Sequence, residues 1–228
     1  MALPSLPSML NPDQREPALR YLWDDTRASE DFKTDASGVV ERAHAMTLRA
    51  RIALGVAIYE WLVWRFSGVS TDPMPAQIAE AAWCACVDRR YMDYLELDRD
   101  EWLGPIRGPL WCATTWLLPM VFFSDEEPEE WQSGLDYLVR LARHVLPHLA
   151  PFEVWLDTVM SRLETCFEAM PEDPFDDLFS ERQEQRRGPL VPREVMDTSL
   201  RYQPEQAEML IERMLAEVGA SGNPFFNG

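Results

Sequence analysis

The chain has 228 residues, of which 46 % are hydrophobic and nine are Trp, so it holds ample apolar material for a folded core and is not a disordered chain. Its 39 carboxylates face only 21 Lys and Arg side chains, which gives a formal net charge of −18. A field of this sign repels phosphate backbones and anionic lipid, and therefore argues against direct binding of nucleic acid or of a membrane surface. A basic protein would instead be attracted, and its association would be accelerated.

Length and the placement of proline predict one domain between two short terminal segments. Residues 1–12 predict an extended N-terminal arm. They lack the basic region and the continuous apolar region of a signal peptide, so we expect a cytoplasmic protein. Residues 13–218 predict a single helical domain. Residues 219–228 predict a C-terminal tail that carries two adjacent Phe residues.

Apolar residues recur at helical spacing along most of the chain, and no alternating β pattern of convincing length appears. The sequence therefore predicts an all-α fold of seven to nine helices. In chain order, helices are predicted from about residue 13 and over 38–66, 75–94, 110–123, 128–146, 152–170 and 204–218, with a weaker one within 173–187. The helix over 38–66 is amphipathic in its first half and apolar nearly all round in its second. We expect it to lie at the centre of the domain, surrounded by the others.

Glycine and proline predict where several helices begin. Gly104-Pro105 and Gly108-Pro109 predict two breaks in the chain before the helix over 110–123. Ser124, followed three residues later by Glu127, has the form of a capping box for the next helix.

The sequence carries no recognisable catalytic or cofactor motif. It has no phosphate-binding glycine loop and no hydrolase nucleophile elbow. His144 and His148 have metal-ligand spacing, but Pro147 lies between them and a third ligand is missing, so no metal site is predicted. Glu60 lies inside an apolar run and is expected to need a partner or a raised pKa. Four cysteines lie in apolar helical patterns and are expected to be reduced and buried: Cys84, Cys86, Cys112 and Cys166. No catalytic residue, metal or cofactor is assigned.

The negative charge is concentrated in three segments. Residues 93–101 hold five acids against Arg99, residues 125–130 hold five acids in six positions, and residues 164–181 hold seven acids and no base. Like charges at this density repel one another, which motivates an acidic recognition face. Acidity that serves only solubility remains an equally open explanation. The candidate partner-binding residues are Asp93, Glu96, Asp98, Asp100, Glu101, Asp125, Glu126, Glu127, Glu172, Asp173, Asp176, Asp177, Phe225 and Phe226.

These features favour a protein that binds a basic protein partner. In general character the chain resembles the small acidic bacterial immunity proteins that occlude nuclease toxins, although no motif links it to one family. Two alternatives stay open: an adaptor or chaperone of a secretion or assembly system that uses the Phe-Phe tail, and a helical enzyme with a carboxylate site. The sequence also leaves open a homo-oligomer, and whether the tail docks on its own domain or on a partner.

Overall fold

The computed structural model describes residues 18–27, 30–170 and 187–228, and this part of the chain is helical and contains no β-strand. Its seven α-helices are α1 (Ser37–Ala43), α2 (Leu48–Phe66), α3 (Met74–Val87), α4 (Gly104–Phe123), α5 (Pro128–Val145), α6 (Leu149–Cys166) and α7 (Ala207–Ser221). Four short 3₁₀-helices span Arg89–Tyr91, Arg99–Glu101, Arg193–Met196 and Pro204–Gln206. The predicted all-α fold is confirmed. None of the described helices combines the length and the hydropathy needed to cross a membrane.

Helix α2 lies at the centre of the fold. Sixteen of its nineteen residues are buried, and it packs against α3, α4, α5 and the 3₁₀-helix at Arg193–Met196. A helix that is apolar on every side requires neighbours on every side, which is why this segment is enclosed. The prediction of a central apolar helix is confirmed, although that helix begins at Leu48 and not near residue 38.

The chain leaves helical geometry between α1 and α2 because it pairs with the end of α6. Thr47 N donates to Phe167 O at 2.8 Å, and Ala169 N donates to Ala45 O at 2.8 Å. One isolated antiparallel bridge joins the same two stretches. These long-range bonds satisfy backbone groups that a continuous helix would have paired within itself. The single helix predicted here is therefore wrong at residues 44–47.

Helix α4 runs through the second Gly-Pro pair, and the chain is not broken there. Pro109 has no N–H to donate to the carbonyl of Pro105, four residues earlier. The hydroxyl of Tyr21 donates to that carbonyl instead, so the acceptor is satisfied by a distant part of the chain. The helix begins at Gly104, so the first Gly-Pro pair lies at a helix start and only the break predicted at the second pair is wrong.

Residues 18–27 are not helical, so the first predicted helix is wrong over this stretch. The stretch instead covers the beginning of α4. The Trp23 indole lies directly against Gly108, where any Cβ would collide with it. Both carboxylate oxygens of Asp25 accept from Gly104 N at 3.0 Å, which satisfies an amide at the start of α4.

Helix α5 carries the apolar stripe that its spacing predicts. The stripe residues are all buried: Trp131, Leu135, Leu138, Leu141, Ala142 and Val145. The predicted capping box is wrong, because the Ser124 hydroxyl donates to Met120 O at 2.5 Å at the end of α4. The residue before α5, Glu127, makes no side-chain capping bond.

Helix α3 ends at Val87, seven residues before the predicted end at Tyr94. Asp88 adopts an extended conformation, and its carboxylate accepts from Arg90 N at 2.9 Å. That bond starts a 3₁₀-helix and replaces further α-helical turns, since a short acidic side chain satisfies exposed amides well at such a start.

The later helix boundaries shift by a few residues. Helix α6 begins and ends earlier than the predicted 152–170. Helix α7 passes the predicted stop at Gly219 and ends at Ser221, after which Gly222 takes the left-handed conformation with φ 70°. The predicted arm at 1–12 and the weak helix within 173–187, apart from Arg187, lie outside the described residues.

Candidate protein-binding face

The connection between α3 and α4, residues 88–103, is fastened to the far end of α4. The Arg89 guanidinium attaches it, because its Nη1 donates to Phe122 O at 2.6 Å and to Glu126 Oε1 at 3.1 Å. Met92, only 2 % exposed, anchors the next turn in the core. The residues that follow Met92 are therefore placed beside the end of α4.

Three aromatic rings meet at this point. The Tyr94 ring centroid lies 5.7 Å from that of Phe122 and 5.2 Å from that of Phe123. Tyr94 and Phe123 are 42 % and 41 % exposed, whereas Phe122 is partly buried against the core. Neighbouring exposed aromatics of this kind are enriched at protein interfaces, where their burial contributes much of the binding free energy.

Carboxylates from two acidic segments approach the same tyrosine. The pKa of Tyr94 is raised, first by its partial burial and then by the negative charges of Glu96 and Glu130. Since Glu96 belongs to segment 93–101 and Glu130 to segment 125–130, the fold brings these two segments side by side. Glu127 N donates to Phe123 O at 2.8 Å, which places Glu127 beside the same rings. We call the following residues the acidic–aromatic face: Tyr94, Glu96, Phe123, Glu127 and Glu130. Asp93 is exposed and directly precedes Tyr94 in the chain.

Two of the predicted acids near this face are neutralised within the chain. Asp125 Oδ1 lies 3.1 Å from Arg187 Nε, and Glu126 pairs with Arg89 at 3.1 Å. These pairs hold the turn between α4 and α5 in place, so Asp125 and Glu126 have a structural role. Within the described residues, no ion pair of this kind neutralises the carboxylates of the acidic–aromatic face.

The remaining acids of segment 93–101 lie away from the acidic–aromatic face. Asp98 Oδ1 accepts from Asp100 N at 3.0 Å and starts the 3₁₀-helix that includes Glu101. The indole of Trp111 donates to Leu97 O at 3.0 Å, so this stretch lies beside the first half of α4. Asp98, Asp100 and Glu101 are exposed, but the structure does not bring them to the aromatic rings.

The third acidic segment starts elsewhere on the molecule. Glu164, on α6, pairs with Arg42 of α1 at 2.8 Å. The candidate residues from this segment, Glu172, Asp173, Asp176 and Asp177, lie outside the described residues.

The two tail aromatics pack on their own domain. Phe225 is partly buried against the core, and Phe226 stacks on Tyr91 with ring centroids 5.5 Å apart. Tyr91 precedes Tyr94 by three residues, so the tail holds the connection that carries the acidic–aromatic face.

Glu60 has the partner that its position requires. It is 7 % exposed, and Arg193 Nη2 donates to its Oε1. Sequence reasoning missed Arg193 because it lies 133 positions further along the chain. A guanidinium bound to a buried carboxylate compensates the cost of burying that charge, which gives Glu60 a structural role.

The remaining groups considered from the sequence are the cysteines and the histidines. Burial raises the pKa of the Cys84, Cys86 and Cys112 thiols to about 12, whereas Cys166 is exposed, contrary to expectation. His144 Nε2 lies 2.8 Å from Leu22 O. Among the described residues, no three His, Cys, Asp or Glu side chains are grouped so as to hold a metal ion.

Tyr94 and Phe123 were the residues that sequence reasoning missed at the face. A signal was present, since Phe122-Phe123 ends an apolar run directly before Ser124-Asp125-Glu126-Glu127. Tyr94 lies between acids in a segment that offered no pattern of its own. Its proximity to Phe123 depends on how α3 and α4 pack.

No protein-family model matches the chain, and no curated protein or solved structure is significantly similar to it.

Proposed function

We propose that this protein binds a basic protein partner through the acidic–aromatic face and neutralises it by occlusion, as a bacterial immunity-type protein does with a basic toxin or nuclease. The observation that carries the proposal is the position of two exposed aromatic rings, Tyr94 and Phe123, beside the carboxylates of Glu96 and Glu130.

The two kinds of side chain have different parts in such binding. The aromatic rings supply apolar area that is desolvated at the centre of a contact, where most of the binding free energy arises. The carboxylates attract Arg and Lys of the partner and raise the association rate, an effect that salt weakens. Guanidinium groups also pack favourably on aromatic faces, so one basic side chain gains from both.

The whole-molecule charge supports the same choice of partner. A net charge of −18 disfavours nucleic acid as the direct ligand, and a nuclease or toxin with a basic surface has the complementary charge. On this proposal the protein works in the cytoplasm and covers its partner's functional surface without catalysis. Among the described residues, no comparable feature supports the adaptor or the enzyme alternative.

A displayed library of random twelve-residue peptides tests the chemistry of the face. The library is selected on the immobilised protein at low salt, and the recovered peptides are expected to be rich in Arg and Lys and to carry an apolar or aromatic residue. Affinity of a recovered peptide is expected to fall on the order of tenfold between 50 and 500 mM NaCl, because its attraction is partly long-range.

Matched variants locate the binding. Glu96→Lys with Glu127→Lys, and separately Tyr94→Ala with Phe123→Ala, are expected to weaken the recovered peptides. Two control variants change the same kinds of exposed residue elsewhere: Glu41→Lys with Glu212→Lys, and Leu149→Ala with Met209→Ala. If the control variants weaken binding as much as the face variants do, or if recovered peptides carry no excess of basic residues, the proposal is wrong.

A further inference from the structure

The C-terminal residues after α7 lie across the surface of α3. Asn223 is their anchor, since it is only 6 % exposed. Its side-chain Nδ2 donates to Gln77 O at 2.8 Å and to Glu80 Oε2 at 3.1 Å. An amide group that gives both its hydrogens to half-buried acceptors of α3 in this way cannot be replaced by an apolar side chain without losing both bonds.

The tail is shaped as a turn before it reaches its second anchor. Asn223 Oδ1 accepts from Phe225 N at 2.9 Å, and Phe226 N donates to Asn223 O at 3.3 Å. Pro224 fixes its own φ within this turn. A segment that folds on itself by local bonds loses little further entropy when it binds, which favours its recognition as a short peptide.

The second anchor is aromatic. The Phe226 ring stacks on Tyr91 at 5.5 Å with an interplanar angle of 13°. Gly219 of α7 also lies close to this ring, since an added Cβ there would be 3.3 Å from the Phe226 ring. Asn227 N then donates to Tyr91 O at 2.8 Å, a backbone contact of the type that holds bound peptides.

The tail lies across the surface, with Phe225 packed partly against the core. Pro224 and Asn227 are exposed, and Phe226 is only partly buried. The groups around the Asn223 amide belong to the helical domain and not to the tail. Glu80, which accepts from this amide, lies on α3 near the Glu60–Arg193 ion pair. The polar and the aromatic anchor points therefore exist on α3 and the turn after it, and the tail fits into both.

We infer that α3 and the 3₁₀-helix at Arg89–Tyr91, together with Gly219, form a peptide-binding site for an Asn-Pro-Phe-Phe-Asn segment, which the chain's own C terminus occupies in cis and which accepts the same segment in trans. The polar subsite consists of Gln77 O and the Glu80 carboxylate and selects Asn. The aromatic subsite consists of Tyr91 and Gly219 and selects Phe. This inference does not depend on the proposed function of the acidic–aromatic face.

The experiment uses the whole chain with its tail loosened by substitution. Asn223→Ala with Phe226→Ala removes both anchors, and a fluorescent peptide with the sequence of residues 222–228 is added in trans. The peptide is expected to bind this variant at least about tenfold more tightly than it binds the wild-type protein, because in the wild type the site is already filled. Two further peptides carry Ala in place of the Asn equivalent to Asn223 or of the Phe equivalent to Phe226. Each is expected to bind at least about fivefold more weakly than the unchanged peptide.

Equal binding of the peptide to variant and wild type, or equal binding of the substituted peptides, would overturn the inference. Circular dichroism and thermal unfolding establish that the variant is folded. If the double variant loses helix content, Phe226→Ala alone takes its place, since the Phe226 side chain takes no part in the hydrogen bonds of the buried Asn223 amide. The inference then requires tighter peptide binding to the single variant than to the wild type, and equal binding overturns it.

Discussion

Charged side chains inside this fold are each held by a specific partner. Arg65 is 1 % exposed, and its guanidinium donates to Val145 O at 3.1 Å and to Ala18 O at 3.0 Å. Arg49 is 7 % exposed and donates to Gly188 O at 2.5 Å. The cost of burying these charges is offset by bonds to carbonyls and carboxylates that lie far away in sequence, so each one ties distant parts of the chain together.

The Glu60–Arg193 pair allows a direct measurement of this cost. Arg193→Met leaves the Glu60 carboxylate enclosed without its counter-ion, so we expect the free energy of unfolding to fall by about 3 kcal/mol. Adding Glu60→Leu to Arg193→Met removes the uncompensated charge, and we expect it to restore most of the loss. Urea unfolding of the two variants and the wild type measures both effects.

An exposed pair provides the control for that measurement. Arg213 is 56 % exposed and lies 2.6 Å from Glu194, so Arg213→Met is expected to cost less than about 0.5 kcal/mol. A loss for Arg213→Met as large as that for Arg193→Met would contradict the argument from burial.

Glu80 is expected to make stability depend on pH. Burial raises its pKa above the usual value of 4.5, with the charge of Glu60 acting in the same direction. A raised pKa means that the folded protein holds this proton more tightly than the unfolded chain. The stabilisation is therefore complete below pH 4.5 and is lost as the pH rises through the pKa of the folded state.

Glu80→Gln tests this dependence. Glutamine stays neutral and still offers an oxygen to Asn223, so the variant is expected to unfold at a higher temperature than the wild type at pH 7.5. The difference is expected to shrink towards pH 4.5, where Glu80 is increasingly protonated in both states. Thermal unfolding across this range measures it, with Glu208→Gln on the exposed face of α7 as the control; a difference that is constant with pH would contradict the assignment.

At the scale of elements, three helices approach one another closely around Met120. A Cβ on Gly55 of α2 would lie 2.5 Å from the Met120 sulfur, and one on Gly134 of α5 would lie 2.9 Å from Trp116 O. The second contact is to backbone, which cannot move aside as a side-chain end can. Gly134 therefore allows the close contact of α4 with α5, and the stacking of Trp116 on Tyr137 at 3.8 Å depends on the same approach.

Gly134→Ala is expected to destabilise the fold although alanine favours helices. The propensity gain is about 1 kcal/mol, whereas forcing α4 and α5 apart costs about 1–3 kcal/mol. Gly38→Ala is the matched control, because nothing lies within 4 Å of its Cβ position on α1. We expect Gly38→Ala to raise stability slightly and Gly134→Ala to lower it in urea unfolding. A gain in stability for both variants would mean that the helices around Met120 move apart at little cost in free energy.

Elements were predictable where local pattern and packing agree. The buried stripe of α5 and the enclosed α2 follow from spacing alone, because each helix has only one way to bury its apolar residues. Prediction failed where distant contacts replace local ones. Phe167 pairs with Thr47 and interrupts a helix-forming stretch, and Tyr21 satisfies the carbonyl that Pro109 leaves without a donor.

At the scale of the molecule, the sequence showed that acidic residues are clustered but not where the clusters lie. Segments 93–101 and 125–130 meet because Arg89 attaches one to the helix end that precedes the other. Glu164 lies on α6 and pairs with Arg42 of α1. Charge counting treats all three segments alike. Only the packing of α3 against α4 separates the exposed acids beside Tyr94 from acids that hold the fold together.

The excess of carboxylates also predicts how salt affects folding. Repulsion among charges spread over the surface acts across many ångströms, and the screening length falls from about 10 Å at 0.1 M salt to about 3 Å at 1 M. Ion pairs such as Arg42–Asp157 at 2.8 Å are mostly exposed and are each worth less than about 1 kcal/mol. The relief of repulsion is therefore expected to outweigh the weakening of the ion pairs, and the free energy of unfolding in urea at pH 7.5 should rise with NaCl concentration.

Acidification separates this effect from a general action of salt on apolar surface. Near pH 5, close to the isoelectric point of about 4.5, the net charge is small and little repulsion remains to be screened. The same salt step should then raise stability less than it does at pH 7.5, whereas strengthening of apolar burial by salt would act at both values. An equal increment at the two pH values would assign the gain to apolar burial, and a loss of stability with salt at pH 7.5 would mean that the surface ion pairs outweigh the repulsion.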